Sequence, residues 1–234
     1  VRAIVITGEG KAFCAGGDLK AMKERRGIGP LATAADTRTN YKRGVHSIAR
    51  AMQEIEIATI AAVNGHAVGI GLTIALQADI RIMATDAKYA VAQVRRGVIA
   101  DCMAHWTLPH LVGAAVAADL LLTGRTFDGA EAAAMGVATR SLPATEVLDH
   151  AMTVAHDIAV NVAPMSAALS KRLLWDAVSN GYCPREVAAL ETELHHRVMG
   201  TADAREGVTA FLERRSPRWS TSVSQRWEPL PELR

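Results

Sequence analysis

Ile57-Ala-Thr-Ile-Ala-Ala-Val-Asn-Gly-His-Ala-Val-Gly-Ile-Gly-Leu-Thr-Ile-Ala-Leu76 decides the fold. Its length and apolar character suit a membrane span, yet Asn64, His66 and three glycines, Gly65, Gly69 and Gly71, would be costly in hydrocarbon. The segment reads instead as a buried strand ending near Val63, an Asn-Gly turn, and a helix starting near Ile70. Two more β-branched runs, Ala3 to Thr7 and Ile80 to Met83, bracket it in the same style. Strands alternating with Gly-rich turns and helical segments define an α/β pattern in the first half.

From Asp101 onward helical periodicity takes over. Val147, Ala151, Val154 and Ile158 share one helix face after the break at Pro143, with Thr145 as cap candidate. Further helices are expected over Pro164 to Val178, Pro184 to Met199 and Thr201 to Leu212. Gly27 to Thr37 reads as a polar connection of the kind that lies over binding sites, and Ser216 to Arg234 as a polar, Pro-containing tail. No internal repeat or linker stands out.

Composition narrows the function. Half of the 234 residues are hydrophobic and 21% are charged, as in a globular chain, while aromatics make up 4%, too few for a base-stacking platform. Lys plus Arg number 26 against 24 Asp plus Glu, a net charge of +2 that gives nucleic acid no concentrated positive surface. Cys14, Cys102 and Cys183 cannot all pair and show no CxxC spacing, which fits a reducing cytoplasm rather than a disulfide scaffold or zinc site. The adjacent His195 and His196 point in different directions on a helix, so no metal is predicted. GxSxG and P-loop motifs are lacking, and Ile74 stands where a dinucleotide loop needs its third glycine.

Two glycine turns carry the chemistry. Gly69-Ile-Gly71 at a helix start and Phe13-Cys-Ala-Gly-Gly-Asp18 after the first strand both expose backbone N–H groups, and together they can hold one anion. Glycines chosen only for tight strand-to-helix packing are the alternative for Gly69 and Gly71. Asp101 opens a helix expected over Cys102 to Leu111, where it reads as a cap accepting helix amides. His46 lies on the preceding helix, where a lone histidine is ordinarily a surface or packed residue, and His105 and His110 read the same way. An Arg95-Arg96 pair in a strand-like run sends its guanidinium groups to opposite faces.

Phe13-Cys-Ala-Gly-Gly-Asp-Leu-Lys20, Ala61 to Gly71 with Ala78-Asp79-Ile80-Arg81, Leu122-Thr-Gly-Arg125 with Ala130-Glu-Ala132, Gly136-Val137, Asp203, Glu206-Gly207 and Ala210 to Arg215 together resemble the enoyl-CoA hydratase/isomerase family, the crotonase superfamily. The resemblance implies a crotonase-like β-β-α spiral core over about 1–140 and a helical trimerisation region over about 141–215. These make one domain over 1–215, with the tail at 216–234 and the opening strands of the spiral before Val1. It implies an acyl-CoA thioester whose carbonyl oxygen meets the N–H groups of Gly17 and Ile70. CoA would lie along Ala15, Gly17, Asp18, Leu19 and Lys20, as part of the substrate rather than as a cofactor. Lys20 would meet a CoA phosphate unless it is merely solvated.

The two glutamates of the family's hydratases correspond to Thr73 and Gln93. Neither titrates near neutral pH, which puts two-carboxylate hydration in doubt. Asp101 falls where the family's dienoyl-CoA isomerases carry a proton-transferring aspartate, and also where its dehalogenases carry a nucleophile, with His46 near their base. The expected activity is therefore isomerase-like proton transfer by Asp101. The alternatives are a non-catalytic acyl-CoA binder and Asp101/His46 nucleophilic chemistry. A soluble, cytoplasmic homotrimer or dimer of trimers, with no nucleic-acid or membrane partner, is the expected assembly.

Overall fold

The computed structural model describes residues 1–24 and 44–231; the expected connection at Gly27 to Thr37 lies outside them. Its contacts group into two units, one of residues 5–53 and 59–152, the other of residues 1–4, 54–58 and 153–234.

The larger unit repeats one motif. β1 (Ala3–Thr7) and β2 (Ala12–Cys14) precede α1 (Leu19–Lys23), and α2 (His46–Glu54) leads to β3 (Ala58–Val63), β4 (His66–Val68) and α3 (Ile70–Ala75). β5 (Ile80–Ala84) and β6 (Tyr89–Ala90) follow, then a 3₁₀ turn at Ala92–Arg96, α4 (Ala104–Thr123), α5 (Gly129–Met135) and β7 (Arg140–Leu142). Each repeat gives one strand to each of two sheets, ordered β1-β3-β5-β7 and β2-β4-β6. Ile60 to Val63 run parallel to Ile80 to Met83. This is the expected β-β-α spiral, and Ile57 to Leu76 forms β3, β4 and α3, as read.

Because β3 is buried along almost its whole length, its apolar residues form a run rather than an alternation, as parallel strands require. Ile60, Val63, Leu72, Leu76, Ile82, Met83, Leu108 and Leu120 are fully buried, each worth about 1.5–3 kcal/mol. Arg81 is buried beside them. Its guanidinium donates to the carbonyls of Val137 (2.7 Å), Leu76 (3.4 Å) and Ala78, fixing the end of α3 to β5. Burial pushes its pKa down to about 10 against the pull of Asp79.

In the smaller unit, α7 (Pro164–Asn180) and α8 (Pro184–Val198) begin with proline at a position whose N–H has no helical partner. α9 (Ala202–Glu213) is capped by Thr201, whose hydroxyl accepts from Ala204 N–H at 3.2 Å. α6 (Ala144–Asn161) begins in the larger unit, where it buries Val147 and Ala151, and it starts directly after Pro143, so Thr145 falls inside the first turn rather than at the cap. The residues from Ser216 are less free than a polar tail suggests. Trp219 donates to Val160 O (2.8 Å), Ser220 and Thr221 donate to the Asp203 carboxylate, and Val223–Arg226 adds the short α10.

Helix α4 also departs from its expected span. It begins at Ala104, and Gly113 (φ 77°, ψ 163°) interrupts it before it continues to Thr123. Among the described residues it is the one helix long and apolar enough to cross a membrane, and that interruption divides it.

Candidate active site

β2 runs parallel to β4 with Cys14 opposite Ala67, so the turns that follow the two strands leave from the same edge. The two turns press together. A Cβ on Gly71 would lie 2.2 Å from Cys14 O, and one on Gly16 (φ +99°) 2.9 Å from Val68 O. Tight packing and amide presentation are thus one feature, since glycine alone permits the approach that sets the turns side by side.

Gly69 (φ +59°) donates to Ala90 O at 2.9 Å, and its own carbonyl accepts from Leu72 and Thr73 N–H, both at 3.1 Å. Ile70 is the first residue of α3, so its N–H has no carbonyl in helical position. Among the described residues, neither the Gly17 nor the Ile70 N–H donates a hydrogen bond. Asp18 Oδ1 accepts from Ala21 N–H (3.0 Å) and so caps α1, while Ala15, Leu19 and Lys20 are exposed.

Asp101 is buried and lies between Thr73 and Gln93. Its Oδ1 accepts from Thr73 Oγ1 at 2.6 Å and from Gln93 Nε2 at 3.1 Å. The cap reading is therefore corrected: the carboxylate takes side-chain donors, and the helix begins two residues later with Met103 at its N-cap. What redirects the chain is a pair of left-handed, non-glycine residues, Cys102 (φ 50°) and Met103 (φ 58°). Each such residue costs about 1–3 kcal/mol unless its surroundings hold it there.

Those surroundings centre on Gln77, which the sequence reading passed over. This fully buried amide donates to Cys102 O (2.7 Å) and Thr73 O (3.1 Å), and accepts from Gln53 Nε2 (3.1 Å) and Thr107 Oγ1 (3.0 Å). A lone glutamine among the apolar residues of Ile70 to Ala78, four residues after Thr73, was the available signal. The Cys102 thiol also approaches Val45 O at 3.7 Å, and burial, aided by the charge of Asp101, pushes its pKa up to about 12. It is an inert thiol.

Gln93 Oε1 is buried without a hydrogen-bond partner, and the amide sits 3.8–3.9 Å from where a Cβ on Gly69 would be. Because Asp101 Oδ1 accepts from Nε2, the Gln93 amide is set with Nε2 toward Asp101 and Oε1 as an open acceptor.

His46 starts α2 beside Val45, and the hydrogen bonds of Asp101 come from Thr73 and Gln93, not from it. His110 and His195 each place Nδ1 within 2.7 Å of a carbonyl of their own helix, and His105 is exposed. Arg95 and Arg96 lie in the 3₁₀ turn rather than a strand, and they donate to Thr123 O (2.7 Å) and Ala92 O (2.9 Å). Among the described residues no group of three His, Cys, Asp or Glu side chains could hold a metal ion.

Paired parallel sheets wound as a β-β-α spiral, with a helical C-terminal region, define the crotonase fold. Its solved examples superpose closely on this chain. Enoyl-CoA hydratase from Bacillus anthracis gives a TM-score of 0.84 at 27% identity, over 93% of this chain and 81% of that one. A "probable enoyl-CoA hydratase/isomerase" from Mycobacterium abscessus gives 0.83 at 50% identity, over 95% and 81%. In sequence, enoyl-CoA hydratase ACTT3 of Alternaria alternata is 34% identical over 96% of this chain and 73% of its own length. Carnitinyl-CoA dehydratase of Proteus mirabilis is 34% identical over 94% and 81%. The enoyl-CoA hydratase/isomerase profile matches residues 1–222, and the chain belongs to that family of enzymes.

Proposed function

We propose that the chain acts on acyl-CoA thioesters as an isomerase-type proton-transfer enzyme. Asp101 removes a proton from a carbon of the acyl chain, and the C–H electron pair moves into conjugation with the thioester carbonyl. The oxygen, now enolate-like, is held by the Gly17 and Ile70 N–H groups, and protonated Asp101 returns its proton at another carbon. CoA lies along Ala15 to Lys20, with the Lys20 ammonium on a phosphate.

One observation carries this reading. Asp101 reaches in between Thr73 and Gln93, where both side chains donate to Oδ1, and Oδ2 accepts from no described residue. One carboxylate suffices to move a proton, whereas adding water calls for a second titrating group that neither Thr73 nor Gln93 supplies. The open Gln93 Oε1 suits a donor, either a water or an acyl hydroxyl. Asp101/His46 nucleophilic chemistry has less support, because His46 does not hydrogen-bond Asp101; it would leave an acyl or aryl adduct on Asp101. A homotrimer or dimer of trimers in the cytoplasm fits the reading.

Deuterium incorporation into acyl-CoA thioesters in D₂O, followed by mass spectrometry, tests it. Asp101→Asn is expected to bind acyl-CoA normally and to lose exchange by about 10²-fold or more. Exchange that survives the substitution refutes Asp101 as the base. Binding without exchange in either protein favours a non-catalytic binder. Crotonyl-CoA hydration near the ~10 s⁻¹ common among enzymes would refute the role given to Thr73 and Gln93.

A further inference from the structure

We propose that Gln77 is the positioning residue for Asp101, acting through the main chain of Cys102. The inference rests on the reading of Asp101 as the base. A carboxylate is aimed by the backbone that carries it, and the two residues after Asp101 are both left-handed without being glycine. Such a turn relaxes unless something holds it, and the strongest hold is the 2.7 Å bond from Gln77 Nε2 to Cys102 O.

The same amide nitrogen donates to Thr73 O at 3.1 Å. Thr73 in turn supplies the 2.6 Å hydroxyl bond to Asp101 Oδ1. One –NH₂ group therefore fixes both the backbone that bears the base and the residue that orients it. Gln77 itself is held from its other end, because Gln53 and Thr107 donate to Oε1. With both amide N–H groups and both lone pairs of Oε1 used in a fully buried position, the amide has one orientation. Gln77 never touches the reacting atoms.

The two ends of the amide make the role testable. Gln77→Glu keeps shape and the acceptor end but turns an oxygen toward the Cys102 and Thr73 carbonyls, and Gln77→Met removes both ends at similar volume. Thr107→Val removes a buried hydrogen bond at the acceptor end only. Both Gln77 variants are expected to lower the turnover number for deuterium exchange about 10- to 100-fold, the scale of a misplaced catalytic group. KM and acyl-CoA affinity should stay within threefold.

Thr107→Val is expected to lower the melting temperature comparably while its turnover number stays within twofold. Backbone amide exchange over residues 101–104 needs no turnover, and it should quicken at least tenfold in the Gln77 variants but not in Thr107→Val. Wild-type turnover in the Gln77 variants, a matching loss in Thr107→Val, or unchanged amide exchange overturns the proposal. Asp101→Asn separates the two layers. If it keeps turnover, the base reading fails and amide exchange alone decides the clamp; if it loses turnover while Gln77→Met does not, only the clamp fails.

Discussion

Gly71→Ala should drive apart the two amide-bearing turns, and its effect can be worked from the geometry. The added Cβ would sit 2.2 Å from Cys14 O, 2.7 Å from Cys14 Cβ and 2.9 Å from Cys14 C. Ordinary non-bonded contacts are about 3.5 Å, so β2 or α3 must shift by roughly 1.3 Å to relieve the closest one. No flexible side-chain end is involved, so the backbone has to move, and Gly17 moves relative to Ile70. A displacement of about 1 Å at a catalytic group costs about 10²-fold, and loss of an oxyanion donor about 10²–10³-fold, or about 2.7–4 kcal/mol of barrier. Overpacking adds about 1–3 kcal/mol of destabilisation, which for a chain of this size lowers the melting temperature by about 2–12 °C. Deuterium exchange into acyl-CoA reads the first effect and circular-dichroism melting the second. Gly44→Ala is the control, since a Cβ there meets nothing within 4 Å and its φ is not left-handed. A Gly71→Ala protein that melts with the wild type, or exchanges within threefold of it, refutes the reasoning.

Cys102 predicts a pH effect. Its folded pKa of about 12 exceeds the 9.0 of an ordinary thiol, so as pH rises the unfolded chain loses this proton first. The resulting stabilisation is complete below pH 9 and drains between pH 9 and 12, by roughly 1 kcal/mol at pH 10. Urea unfolding at pH 8 and pH 10 should show wild type losing about that much more than Cys102→Ala, and equal losses would rule the effect out. Asp203 predicts another at the acid end. Burial works against its charge, but donors from Thr221 and Ser220 outweigh it and hold the carboxyl below its ordinary value. Stability from those bonds is present above the ordinary carboxylate range and is lost as pH falls through the folded pKa. Asp203→Ala should cost about 2–3 kcal/mol and speed protease cleavage near Ser220; an unchanged cleavage rate would show that the anchor does not hold the tail.

The parts of this molecule that can be read from sequence are those whose cause is local. β3, the turn at Gly65 and the start of α3 follow from a β-branched run, an Asn-Gly pair and glycines at a helix entry, and each of these acts within a few residues. Pro164, Pro184 and Thr201 mark helix starts for the same reason. The pairing of the two glycine turns is legible only through the family resemblance, because the contact of Gly71 with Cys14 joins residues 57 positions apart.

The acid site resisted in a different way. An aspartate before a helical pattern is ordinarily a cap, and nothing in Cys102 or Met103 announces a left-handed turn, which glycine, asparagine or aspartate would have done. The turn is held from outside by Gln77, which lies just past the end of α3, 25 residues upstream of Cys102. Gln77 in turn looks out of place after an apolar helix because, apart from Thr73 O one turn back, the groups that satisfy it come from α2, α4 and the Asp101 loop. A buried amide whose partners lie mostly on distant segments is therefore a usable signal after all. The sequence around it names the cost of burial, and chain elements arriving from elsewhere meet most of it, so such a residue marks where separate segments are being held to a common geometry.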